Sequence, residues 1–155
     1  NAMFVLPFIV ILCITLLVLK RTILIIPLFI SITGSTVLTY LIKILVQRTR
    51  PIEAVLVEHS YSFPSGHATF AIAFYGFMVY LLIRHSKSLK KQLSFFFAGI
   101  TLIILLGLSR IALNVHYLSD VFAGYMIGSI GLLIGMKITE WMISTQKVDL
   151  ETRVS

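Results

Sequence analysis

Apolar residues along this chain come in blocks, separated by short stretches that hold nearly all of the charge. Five blocks stand out: Met3 to Leu19, Thr22 to Ile42, His67 to Ile83, Leu93 to Leu108 and Val121 to Ile143. A helix rises about 1.5 Å per residue, so each block crosses or nearly crosses a hydrocarbon core of about 30 Å. A water-soluble fold would spread its apolar residues at amphipathic spacing, whereas unbroken blocks of this length need lipid as their solvent. The pattern predicts an all-α, integral-membrane helical bundle over residues 3–143 with about five transmembrane helices. A polar cytoplasmic tail over residues 144–155 follows. Asn1 and Ala2, ahead of the first methionine, read as an expression-tag remnant. The first block has no basic region before it and no small-residue cleavage site after it, so it is expected to persist in the mature protein.

Composition narrows the picture. The chain has 155 residues, of which 58% are hydrophobic and 12% charged, and its mean hydropathy is +1.00. A soluble domain of this size rarely has such values. Cys13 is the only cysteine and lies inside the first block, which leaves no intrachain disulfide, no cysteine zinc site and no exposed thiol nucleophile. The net charge of +7 raises the question of nucleic acid. The basic residues sit where apolar blocks stop, however, with no groove-like patch of interleaved aromatics, so the partner they indicate is the bilayer.

Short connections fix the expected orientation. Lys20 and Arg21 join the first two blocks, and Arg84, Lys87, Lys90 and Lys91 join the third and fourth, which assigns these loops to the cytoplasm. The connections Lys43 to Gly66 and Ser109 to Asp120 then share the extracytoplasmic face. That face also carries Lys43, Arg48, Arg50 and Arg110, against the charge rule, and a chemical role would account for them. Gly124, Gly128, Gly131 and Gly135 give the last block a small-residue face suited to close helix packing.

Three segments on that one face hold the unusual residues. Lys43 and Arg50 are seven apart, which places both on one side of a helix that Pro51 helps to end. Alone, the pair also fits a snorkelling lysine and a solvated interfacial arginine. Pro64-Ser65-Gly66-His67 combines a preset turn, an N-cap hydroxyl and a glycine that lets backbone N–H groups approach an anion. An ordinary capped helix start would look the same. In the third segment, Ser109-Arg110 precedes His116 and Asp120, whose spacing of four lets the carboxylate take a hydrogen bond from one imidazole nitrogen and leave the other for attack. A metal pair is the competing reading, but Lys43, Arg50 and Arg110 nearby would repel a cation. Together the cations, the helix start, two histidines and one orienting carboxylate match what phosphoryl transfer requires, with fixed donors in place of a metal ion.

Lys43, six residues, Arg50-Pro51; Pro64-Ser65-Gly66-His67; Ser109-Arg110, five residues, His116, three residues, Asp120: this pattern resembles the three-part signature of the type 2 phosphatidic acid phosphatase superfamily, the lipid phosphate phosphatases. Every signature position is matched, over a likeness running from about Thr22 to Ile143. The resemblance implies a helical bundle in which His116 attacks phosphorus, Asp120 supports it and His67 protonates the leaving group. Lys43, Arg50, Ser65, Gly66, Arg110 and Ser109 would hold the phosphoryl oxygens, with no metal and no cofactor. The family's common membrane form has six spans against the five counted here, so a helix ahead of Met3 is expected to be missing.

The implied substrate is a membrane lipid phosphate: isoprenyl diphosphate, which the reading favours, phosphatidylglycerol phosphate or phosphatidate. Val55, Leu56, Val57, Tyr61 and Phe63 make the loop between Pro51 and Pro64 partly apolar and are expected to touch the bilayer. Glu53, Glu58 and His59 in the same loop read as solvated residues. Two other readings stay open on sequence: a lipid phosphotransferase using the same site, and a transporter of anionic substrates.

Overall fold

A computed structural model describes residue 10 and residues 22–52 and 60–154, with side chains to Gln146. Helix α1 (Ile25–Val46) is entered through a 3-10 turn at Thr22–Leu24. Helix α2 (Gly66–His85), α3 (Leu89–Ala112) and α4 (Leu118–Val154) follow. Four described helices are long and apolar enough to cross a membrane, in agreement with the second to fifth apolar blocks. The first block lies outside the described residues.

The bundle turns large apolar side chains outward, as lipid solvent demands, and buries a set of hydroxyls beside its apolar core. On α1, Ser31, Ser35 and Thr39 are buried, while Phe29, Val37, Leu41 and Leu45 are exposed. Buried hydroxyls need acceptors. Ser31 Oγ donates to the Ala73 carbonyl of α2 at 3.2 Å, Ser35 Oγ to the Ser31 carbonyl at 2.6 Å, and Thr39 Oγ1 to Thr69 Oγ1 at 3.1 Å. The Ala73 carbonyl belongs to a π-helical stretch, Ala71–Gly76, inside α2. Leu24, Leu28, Phe74, Phe77 and Leu81 form the apolar core between α1 and α2.

The expected glycine face is what lets α4 dock. A Cβ at Gly124 would stand 2.5 Å from the Ser65 carbonyl oxygen, and one at Gly128 2.5 Å from that of Thr69, so these two glycines admit α2. Gly131 and Gly135 face Ser31, Ser35 and Pro27, admitting α1. Gaining this contact without side chains is how helices associate where lipid removes the hydrophobic drive.

Each helix end at the polar face has its own local cause. α1 stops at Val46 because Gln47 turns left-handed, with φ 49°, and its N–H returns to the Lys43 carbonyl at 3.0 Å. This corrects the expectation that Lys43 and Arg50 share a helical face ended by Pro51: Arg50 lies beyond the helix. Ser65 caps α2 with extended backbone, its Oγ accepting from Ala68 N at 3.5 Å. Between α3 and α4, Asn114 takes φ 53°, a conformation asparagine tolerates. Its turn is closed by Leu113 N to Ser109 O at 3.1 Å and Val115 N to Arg110 O at 3.2 Å.

Candidate active site

The turn at Asn114 carries His116 into the bundle, where the residue is 3% exposed. Asp120 meets it from the first turn of α4, but not as a neighbour along a helix. Tyr117 caps α4, and its N–H donates back to Asp120 Oδ2 at 2.9 Å, the carboxylate half of a capping box. The same oxygen lies 3.5 Å from His116 Nδ1. That separation is longer than a full hydrogen bond, a spacing that apo catalytic pairs often show before substrate tightens them.

On the other side of the ring, Arg50 Nη1 stands 3.5 Å from His116 Nε2 and donates to the Val115 carbonyl at 2.8 Å. Arg50 is braced by Ser60, with Nε donating to its carbonyl at 2.8 Å and Nη2 to its hydroxyl at 3.0 Å. Lys43, near the end of α1, donates to the Tyr61 carbonyl. Burial first, then the positive charges of Arg50 and Lys43, push the His116 imidazole below the ordinary histidine range, and Asp120 opposes them. A neutral imidazole with a carboxylate at Nδ1 and a guanidinium at Nε2 results, the form that can act as a nucleophile.

The second signature segment is bonded to the third through backbone. Ser65 N donates to the Asp120 carbonyl at 2.9 Å, and the Ser65 carbonyl receives Thr69 N at 3.0 Å and Thr69 Oγ1 at 3.1 Å. Ser65 itself is fully buried, whereas a Cβ built at Gly66 would meet no atom within 4 Å. Open space at Gly66, next to the first turn of α2, is room for a ligand to approach backbone N–H groups.

His67 and Arg110 form a second group. They line a cavity of about 70 Å³ with Phe70, Ala71, Tyr75 and Leu106. Arg110 Nε donates to Ser109 Oγ at 3.3 Å, and that hydroxyl donates to the Leu106 carbonyl at 2.7 Å. Roughly one turn deeper along α2 and α3, a larger apolar cavity of about 360 Å³ lies among Ile72, Val79, Ile103, Tyr125 and Leu132.

All nine expected site residues therefore fall at one end of the bundle. Arg50, His116 and Asp120 are in direct register, Lys43 adds charge, Ser65 is tied in by backbone, and His67 and Arg110 line a cavity, with Ser109 bonded to Arg110. Sequence reasoning counted Arg48 among the charges on this face but gave it no place in the site; its Nη1 donates to Asp120 Oδ1 at 2.9 Å and to Ser119 Oγ at 2.7 Å. The same reasoning passed over the carbonyls of Ser60 and Tyr61, which carry no residue-type signal.

The profile of the PAP2 superfamily matches residues 24–143. The chain belongs to the PAP2 superfamily. Among curated relatives, it is 38% identical over 94 residues to phosphatidylglycerophosphatase B of Bacillus subtilis (strain 168), covering 59% of this chain and 46% of that protein. A putative phosphatidate phosphatase of Drosophila melanogaster is 41% identical over 88 residues, covering 52% of this chain and 22% of that one. The chain thus spans less than half the length of these relatives. Among solved structures, the transmembrane PAP2-type phosphatidylglycerolphosphate phosphatase of Bacillus subtilis superposes with TM-score 0.78 at 28% identity, over 93% of this chain and 71% of that one. Aquifex aeolicus LpxE gives 0.62 at 28%, over 88% and 78%. These neighbours place the four described helices in a PAP2 transmembrane fold.

Proposed function

We propose that this PAP2 protein hydrolyses the phosphate ester of a membrane lipid through a phosphohistidine at His116, without a metal ion. The observation that carries the reading is the buried imidazole held between Asp120 and Arg50. His116 Nε2 attacks phosphorus while the bond to the leaving oxygen breaks, and His67 supplies that oxygen's proton. The ring becomes cationic as it takes the phosphoryl group, and Asp120 at Nδ1 supports that charge. Lys43, Arg50, Arg110 and the backbone around Ser65 and Gly66, with Ser109, hold the equatorial oxygens, where negative charge spreads in the transition state. Water then attacks the phosphohistidine, with His67 taking its proton, and the P–N bond breaks to release inorganic phosphate.

Phosphatidylglycerol phosphate is the first substrate to test, on the names of the Bacillus subtilis relatives, ahead of isoprenyl diphosphate and phosphatidate. The apolar cavity between α2 and α3 gives a hydrocarbon chain a place below the phosphate. The extracytoplasmic side is the expected location, with the C-terminus cytoplasmic.

The test is phosphate release in detergent with excess EDTA, from each of the three lipids, by the unaltered protein and by His116→Ala. Release that survives EDTA and is lost in the variant supports the reading. Phosphate appearing on a second lipid in place of solution would make the protein a phosphotransferase. Release by folded His116→Ala at an undiminished rate would overturn the mechanism.

A further inference from the structure

We infer that Arg48 is a positioning residue for the His116–Asp120 pair, an inference that rests on the proposed role of His116. Asp120 is fully buried, and its two oxygens are divided between two tasks. Oδ2 takes the Tyr117 N–H and faces His116 Nδ1, while Oδ1 takes Arg48 at 2.9 Å. A carboxylate removed from water needs a partner charge, and Arg48 supplies it on the side away from the imidazole.

Arg48 is itself held in place. Ser119 Oγ receives the same Nη1 at 2.7 Å, and the guanidinium lies 4.2 Å from the centre of the Tyr117 ring. Its carbonyl receives Ser62 N at 2.8 Å and Ser62 Oγ at 3.2 Å. The left-handed Gln47 that ends α1 releases this segment from the helix, so that two arginines, two residues apart, reach opposite sides of one histidine. Arg50 addresses Nε2 directly, and Arg48 addresses Nδ1 through Asp120.

That division makes two demands compatible. Asp120 has to orient the ring and support its positive charge during attack, yet an unshared carboxylate would also raise the basicity of His116 and keep it protonated. Arg48 takes part of the carboxylate's charge and fixes its plane. The charged groups bearing on His116 are Lys43 from α1, Arg50 from the segment after it and Asp120 from α4, with Arg48 bonded to Asp120. The α2 start contributes the Ser65 N–H to the Asp120 carbonyl, and α3 contributes Arg110 at the neighbouring cavity.

Arg48→Met, Arg48→Lys, Asp120→Asn and the double variant Arg48→Met/Asp120→Asn test this in the full chain, by kcat, KM and the pH profile of kcat/KM. Losing a charge-assisted bond to a buried group predicts a roughly 10- to 100-fold fall in kcat for Arg48→Met, with KM changed less than about threefold. Its acid limb moves to higher pH, because the freed carboxylate holds the imidazole proton more tightly; Arg48→Lys restores most of the rate. The double variant is no slower than Asp120→Asn, since Arg48 acts through that carboxylate. An unmoved acid limb, additive losses, or a change confined to KM would each overturn the inference. If Arg48→Met does not fold, Arg48→Gln carries the same pH readout, and Arg48→Lys, which keeps the charge, should leave the acid limb near that of the parent. Activity retained by His116→Ala would instead sink the underlying reading, whatever Arg48 does.

Discussion

Among the described residues, two arginine–carboxylate pairs lie at opposite ends of the bundle, and they share their chemistry but not their surroundings. Arg48 and Asp120 have side chains 37% and 0% exposed, whereas Arg84 and Glu140 are 30% and 53% exposed. Asp120 and Glu140 lie twenty residues apart on α4, about 30 Å along the helix. Glu140 accepts from Arg84 and from Tyr80 OH and remains open to the medium. Asp120 is closed off, so both of its oxygens are committed. Desolvation is what differs, and it turns an ordinary ion pair into one that can be given work: removing a partner strands a charge at one end and merely rehydrates it at the other.

The sharpest test of that contrast is His116→Ala. On the proposed mechanism it should cut kcat by roughly 10⁴-fold or more, about 5.5 kcal/mol of barrier, because no other group of the site replaces His116 as the proposed nucleophile. Its unfolding midpoint in detergent should stay within a few degrees of the parent, since Nδ1 makes no full hydrogen bond. Loss of both activity and fold would mean that the buried end is structural first.

Asp120→Asn comes next. The amide oxygen can still accept from Tyr117 N or Arg48, so the fold survives, but the charge opposite His116 Nδ1 is gone. A fall in kcat of roughly 10²- to 10³-fold is expected, smaller than deletion of the nucleophile. The sign of the pH effect follows from the charges. Burial, Arg50 and Lys43 lower the His116 proton affinity and Asp120 raises it, so removing Asp120 moves the acid limb of kcat/KM further down. In the folded protein the neutral imidazole is favoured, so its contribution to stability is present above the ordinary histidine value and is lost as pH falls through the lowered one. A limb that moves up in Asp120→Asn would break the proposed balance.

Glycine substitutions on α4 probe whether the two ends differ in packing as well as charge. Gly124→Ala would place its Cβ 2.5 Å from the Ser65 carbonyl oxygen and 2.9 Å from Ala68 Cβ, both in the segment bonded to Asp120. Two helices must separate, at about 2–3 kcal/mol, and kcat should fall with stability because the Ser65–Asp120 bond moves. Gly135→Ala meets its nearest atoms at 3.0 Å, next to Pro27 and Ser31, and should cost about 1 kcal/mol with kcat unchanged. Detergent melts and initial rates on both variants separate the two outcomes.

Much of this was legible before any coordinates. Residue type and spacing put His116, Asp120, Arg50, Lys43, His67 and Arg110 forward as candidates, and the fold brings these six to one end of the bundle. Apolar runs located the helices of residues 22–143, with ends that shifted by a few residues at α1, which continues to Val46, and by a good deal more at α4, which runs on through the expected tail to Val154. Other features left weaker traces. The buried stripe Ser31, Ser35, Thr39 recurs every four residues, yet it reads as noise inside an apolar block until lipid is recognised as the outer solvent. Arg48 had one trace, its place among positive charges on a face where the charge rule disfavours them. Backbone acceptors such as the Ser60 and Tyr61 carbonyls left none, since every residue has one. The pairing of His116 with Asp120 was expected for the wrong reason: it comes from a capping box at the start of α4, whereas helical periodicity was the basis on which it was read.

Glu140→Gln is the smallest perturbation. Exposed ion pairs contribute about 0–1 kcal/mol, and the amide can still accept from Tyr80 or Arg84, so the melting midpoint in detergent should shift by no more than a few degrees. kcat and the pH profile should be unchanged, because Glu140 and His116 are separated by most of the length of α4. The paired variant Arg84→Gln should behave alike, and the loss in the double variant should fall short of the sum by no more than about 0.5 kcal/mol, the coupling of a screened pair. A fall in kcat comparable to that of Asp120→Asn would show that the two ends are mechanically coupled through α4. The contrast between them would then rest on conformation as well as on desolvation.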